Sequence, residues 1–199
     1  MTHRFFFHIF AGFLSLVLMG CTGNPRHVVP SPRVDAPPPG KAVVNFFYDY
    51  GTEKNQSIFN EKKELLFLIA PRTVHQVAVD PGEHIYFVGI YIGGFLKVPG
   101  VDGKIKITAK EGRIYDVYLT VNFGNYTQVE PAHPGTSYHD EVAPLLATLQ
   151  TVSPLDRTIP EIKEREESYY PVLGRFFKLM DDGAKIIPRE MKAEDSRTK

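Results

Sequence analysis
The chain is predicted to be mainly β, an antiparallel β-sandwich of about seven strands with C-terminal amphipathic helices. Three observations predict this. Between residues 41 and 131, short runs dense in β-branched and aromatic residues alternate with Gly, Pro, Asp and Asn turn chemistry, the pattern of strands spaced for a sandwich. After Gly135 the apolar spacing changes from two to three and four, the helical period. With 43% hydrophobic residues and one cysteine, the chain has enough apolar surface for one core and no disulfide to replace it.

The first element is outside the fold. Residues 1–20 carry Arg4 and no acid, then an apolar run broken by His8, Gly12 and Ser15, which is the charged start and short core of a signal peptide. It is short for a membrane span, which needs about 20 apolar residues. Leu18-Met19-Gly20-Cys21 closes this run and resembles the lipobox of bacterial lipoproteins. The resemblance implies cleavage between Gly20 and Cys21, diacylglycerol on the Cys21 sulfur, and a further acyl chain such as palmitate on its freed amine. Several chains, each worth about 0.8 kcal/mol per buried CH₂, anchor durably where one does not. Thr22, where an aspartate would retain the protein at the inner membrane, implies export to the outer membrane, facing the periplasm. Residues 21–40 then read as an acylated cysteine and a Pro-rich extended tether.

The β-domain is expected over residues 41–131. Ala42 to Tyr48 is strand-like throughout. Ser57 to Asn60 and Leu65 to Ile69, joined by the charged corner Glu61-Lys62-Lys63-Glu64, read as a hairpin. Thr73 to Val79 alternates, placing His75, Val77 and Val79 on one face. Pro81-Gly82 carries the signature of a type II turn before the strand Ile85 to Val88. The glycine-rich stretch 89–103 reads as a loop or ragged edge. Lys104 to Thr108 and Ile114 to Phe123 are strands about the turn Lys110 to Arg113, and Gln128 to Pro131 is a short closing strand. The strings GKAVVNFFYDY, VDPGEHIYFVG and KITAKEGRIYDVYL resemble small bacterial lipoproteins of a domain-of-unknown-function class and, more distantly, PEGA-type β-domains. That resemblance implies a compact β-sandwich on a lipid tether, with no established enzymatic activity.

Residues 132–185 are expected to be a helical extension and 186–199 a polar tail. Asp140 to Thr151 carries Val142, Leu145, Leu146 and Leu149 at helical spacing, with Asp140 as the cap. A second helix starts at Pro160 in its tolerated first turn. Its charged start, including Glu166-Glu167, reads as solvated. Tyr169, Val172, Leu173, Phe176, Phe177 and Met180 form one apolar stripe, with Gly183 as the C-terminal cap. The stripe is a candidate partner-binding surface, or else packs on the sheet.

Removing residues 1–20 takes one base and no acid from 23 basic and 23 acidic residues, so the mature chain is about one charge negative and nucleic acid is not an expected partner. His75, His84, His133 and His139 are candidate metal ligands with Asp80, Asp140 and Glu141, but no His-x-x-x-His spacing joins them and neither a metal nor a cofactor is expected. Ser137, His139 and Asp140 have the residue types of a hydrolase without a nucleophile turn, and Gly93-Gly94 lacks phosphate-loop spacing. The expectation is a non-enzymatic, membrane-anchored binding or assembly protein of the cell envelope, with an envelope protein or glycan as partner. A carbohydrate or peptidoglycan module is the alternative, built on Phe46, Tyr48, Tyr86, Tyr91, Tyr115 and Tyr118 as a stacking face. A hydrolase or metalloenzyme is a further one.

Overall fold
The computed structural model describes residues 30–48, 56–69, 72–92, 95–97, 103–121, 127–181 and 189–198. Residues Gly20 and Cys21, and the expected cap Gly183, lie outside the described residues, as do the side chains of Tyr169, Val172, Leu173, Phe176, Phe177 and Met180 in the stripe.

The strand β1 (Ala42–Tyr48) is buried along its whole length. Successive side chains on a strand face opposite ways, so total burial means both faces are covered. Ala42, Val44, Phe46 and Tyr48 join the core between two sheets, while Phe47 packs on the other side with Val74, Val142, Leu146 and Leu149. The remaining elements are β2 (Gln56–Asn60), β3 (Leu65–Ile69), β4 (Thr73–Val79), β5 (Gly82–Ile92), β6 (Phe95–Lys97), β7 (Lys104–Ala109), β8 (Ile114–Val121), β9 (Thr127–Pro131), α1 (Ser137–Leu146), β10 (Gln150–Val152), α2 (Pro160–Asp181) and β11 (Arg189–Met191). One sheet has the order β10-β4-β1-β8-β9 and the other β11-β7-β5-β2-β3, with β6 also on β5. The molecule is therefore the mainly β, two-sheet sandwich with C-terminal helices that the strand pattern predicts.

Its finer features differ from the expectation in ways that follow from pairing. The strands beyond the expected set are β6, β10 and β11, three residues each, too short for a periodic signal. Among the described residues three pairs are parallel: β1 with β8, β4 with β10, and β7 with β11. Parallel partners cannot be joined by a tight turn, so local turn chemistry, which reveals hairpins, is silent about them. The β2–β3 hairpin is present and antiparallel. Pro81-Gly82 is not a type II turn. Gly82 has a φ of 137°, far from the roughly +80° which that turn needs, and the dipeptide makes a corner where the chain leaves the first sheet for the second.

The first helix starts earlier than expected. Thr136, not Asp140, is its N-cap: the Thr136 backbone is extended and its Oγ1 accepts from His139 N at 3.2 Å. Asp140 lies in the first turn, where its charge suits the helix dipole, and Leu149 is buried just past the helix end. In α2, Pro160 is the first residue as expected, but Glu166 is buried rather than solvated. Glu166 Oε2 accepts from Leu65 N on the edge strand β3 at 3.0 Å. Arg157 binds both Glu166 oxygens at 2.9 Å and reaches Glu64 Oε1 at 2.8 Å. The hydrogen bond to Glu166 is the main cause that raises the Arg157 pKa, and Asn60 chiefly holds the Glu64 carboxyl below its usual range.

The segments on either side of the β-domain also differ from a free tether and a free tail. Pro30 bridges Val152, and Ser31 N donates to Thr151 O at 3.0 Å. At the other end, β11 pairs with β7, and Arg197 and Ile114 exchange backbone hydrogen bonds of 3.0 Å.

His75, on the core face of β4, is 1% exposed and stands edge-on to Phe67 at 5.1 Å. Its Nε2 makes no hydrogen bond of normal geometry. Burial pushes its pKa down to about 4 from 6.5, opposed in part by the carbonyls of Leu68 and Phe46. The unfolded chain therefore takes up this proton near pH 6.5 while the folded one waits until about pH 4. Stability is full above the first value and falls as pH drops towards the second. Urea unfolding at stepped pH is expected to show a loss of about 2 kcal/mol between pH 6.5 and about pH 5 from this group. His75→Leu should flatten that slope; an unchanged slope would show that His75 does not carry it.

Candidate functional site
The outer face of the first sheet carries a row of polar residues across its three inner strands. Asn45 on β1 lies opposite Gln76 on β4 and opposite Asp116 on β8, so three neighbouring strands place polar side chains at one level of the sheet. All three are buried. Gln76 Nε2 donates to Asn45 Oδ1 at 2.9 Å, and Asn45 Nδ2 donates to Asp116 Oδ1 at 2.7 Å.

Segments from either side of the β-domain complete the row. Val34 N donates to Gln76 Oε1 at 2.8 Å, and Gln76 Nε2 donates back to Val34 O at 3.1 Å. At the far end Arg197 Nε donates to Asp116 Oδ2 at 2.7 Å. Buried polar atoms need such partners, since each one left bare costs about 1–3 kcal/mol.

Between these terminal segments and α1 lies an open cleft of about 490 Å³. Helix α1 contributes His139, Ala143, Leu146 and the adjoining Ala147. The N-terminal segment contributes Arg33 and Asp35, and Asp116 and Arg197 line the rest. Arg33 Nε is 3.3 Å from Asp35 Oδ1, and Arg33 Nη1 donates to the Leu146 carbonyl near the end of α1, a favourable place for a cation. His139 Nδ1 sits 3.3 Å from Asp140 Oδ1. The cleft thus offers fixed guanidinium groups, an imidazole and carboxylates around a small apolar wall, which is the equipment for holding a polar ligand.

Of the histidines singled out in the sequence, only His139 reaches this cleft. His75 is in the core. His84 Nε2 donates to Asp80 O at 2.8 Å, tying the strand entry to the corner before it. Lys41, just before β1, holds the Asp80 carboxyl below its usual range through its hydrogen bond. His133 Nε2 lies 3.6 Å from Asp195. Among the described residues, no three His, Cys, Asp or Glu side chains come together to hold a metal ion. The expected aromatic stacking face is not formed by its described members: Phe46, Tyr48, Tyr86 and Tyr115 are buried in the core and Tyr118 is half-buried against Phe47. The Tyr91 side chain is outside the described residues.

Asn45, Gln76, Asp116 and Arg197 are the site residues that sequence reasoning passed over. The available signal was local: Asn45 interrupts an otherwise apolar strand, and Asp116 sits inside Ile114 to Val121. Their partnership spans 71 residues, which no local pattern reports.

A comparison of the chain with protein-family models finds no match, and a search of curated proteins likewise finds no similar one.

Asp116→Ala should cost about 2–3 kcal/mol, because it strands both Asn45 and Arg197. Val74→Ala on the same face removes packing but no polar partner. In chemical denaturation combined with limited proteolysis, Asp116→Ala is expected to expose the segment around Arg197 to cleavage and Val74→Ala is not. Equal protection of that segment in both variants would contradict the role given to Asp116.

Proposed function
We propose that this protein is a lipoprotein of the bacterial envelope, anchored in the outer membrane through Cys21, facing the periplasm, with a non-catalytic binding or assembly role performed at the cleft beside α1. The resemblance to small envelope lipoproteins belongs to the same proposal. The observation that carries it is the conjunction of a lipobox at Leu18 to Cys21 with a cleft whose wall is the segment that follows it, at Arg33 and Asp35.

The geometry refines the tether. Because Pro30 is already bridged to Val152, only eight residues, nine Cα-to-Cα steps, lie between Cys21 and the fold. At about 3.3 Å per residue they reach at most ~30 Å, so the domain stays near the bilayer that holds it. An envelope protein close to that membrane is the favoured partner, and a glycan is the other outcome of the test below.

The test has two parts in cells. Growth with an alkyne-tagged palmitate should label the wild-type protein in the membrane fraction, and Cys21→Ala should abolish the label. An unlabelled, soluble wild-type protein would contradict the anchor. A photocrosslinking residue at position 147, on the cleft wall, should capture a discrete envelope species that the same residue at position 83, on the other sheet, does not. Equal capture at both positions, or none at either, would contradict a binding role for the cleft.

A further inference from the structure
The guanidinium groups of the cleft are fixed without being used up. Arg197 is held through Nε alone, by Asp116 Oδ2, which leaves its two Nη atoms without a partner among the described residues. Arg33 is held through Nε by Asp35 and through Nη1 by the Leu146 carbonyl, which leaves Nη2. Asp116 Oδ1 and Oδ2 already accept from Asn45 and Arg197. A guanidinium presents its donors in a flat fork that matches a planar carboxylate.

Charge narrows the ligand. Arg33 and Arg197 are balanced by Asp35 and Asp116, so the cleft has spare donors but little net charge. A group with one negative charge can use those donors with less repulsion from Asp35 and Asp116 than a phosphate dianion meets. Shape narrows it again. Ala143 and Ala147 are exposed one helical turn apart and form a shelf of small apolar side chains beside the donors. The volume of about 490 Å³ lies within the ~300–1,000 Å³ usual for small-ligand sites.

We propose that this cleft is a binding site for the free C-terminal end of a peptide, its carboxylate on Arg197 and Arg33 and its last small side chain against Ala143 and Ala147. The proposal rests on the cleft being a binding surface, as argued above, and is independent of the lipid on Cys21.

The test uses the full-length protein in detergent and three probes: acetyl-trialanine, its C-terminal amide, and inorganic phosphate, followed by calorimetry and by the NMR signals of the arginine Nε–H groups. Acetyl-trialanine should bind saturably with a Kd of about 1 mM or tighter and shift the Arg197 and Arg33 signals. The amide should bind about tenfold more weakly or not at all, and phosphate should not bind. Arg197→Gln should lose binding, but it also takes a partner from Asp116. Ala143→Trp is therefore the deciding variant, since it fills the cleft, leaves every charge in place, and should lose binding with its unfolding midpoint unchanged. Equal binding of acid and amide, binding of phosphate in place of the peptide, full binding by Ala143→Trp, or no binding of any probe would each overturn the proposal. Failure of all probes alongside discrete crosslinking from position 147 would remove the carboxylate ligand and leave the binding role standing.

Discussion

The structure depends on the buried row Gln76, Asn45 and Asp116, which runs across three strands of the first sheet and ends on the two termini of the fold. A row of this kind is costly if incomplete, because the hydrogen bonds it makes are worth little more than those water would supply, while a stranded donor or acceptor loses the full value. Asn45 is satisfied from both sides by Gln76 and Asp116. Those two are in turn completed from outside the sheet, by the Val34 backbone and by Arg197. The segments near the chain ends are therefore held by polar groups inside the fold, over a face that would otherwise be solvated.

The same solution appears at the other sheet. Strand β3 lies at an open edge, and unpaired edge groups invite pairing with another chain. Glu166 takes the Leu65 N–H, Leu155 N donates to Leu66 O at 2.8 Å, and Arg157 ties Glu166 to Glu64. In both places a charged side chain from beyond the β-domain completes a backbone or side-chain group of a strand. The C-terminal extension is thus integral to the sandwich. The cleft follows from this arrangement, because Arg33 and Arg197 are positioned by the contacts that hold the terminal segments.

The sequence made the strands legible because burial on one or both faces leaves a run of Val, Ile, Phe and Tyr, as in Ala42 to Tyr48. It made the β2–β3 hairpin legible because the charged corner sits between two apolar runs. It placed His75 with Val77 and Val79 correctly, since alternation alone fixes the face. What it concealed were interactions with long separations: the parallel pairs, the short strands β10 and β11, and the polar row. Glu166 shows the limit well. Within Glu164-Arg165-Glu166-Glu167 it has the look of a solvated charge, and only the distant Arg157 and Leu65 explain its burial. The cleft was less legible than the fold, for among its lining residues the sequence marks His139 for a different chemistry and Leu146 only as part of a helix's apolar face.

The most direct measurement of the central claim is residue-resolved hydrogen exchange of the backbone amides of Ser31, Val34 and Arg197 in the wild-type protein and in Asn45→Leu. The account predicts that all three are protected in the wild type, and that Asn45→Leu, which removes the middle of the row, lowers the protection of Val34 at one end and Arg197 at the other together while Val44 in the core stays protected. Free-peptide exchange of these amides in the wild type, or loss at one end without the other, would contradict it.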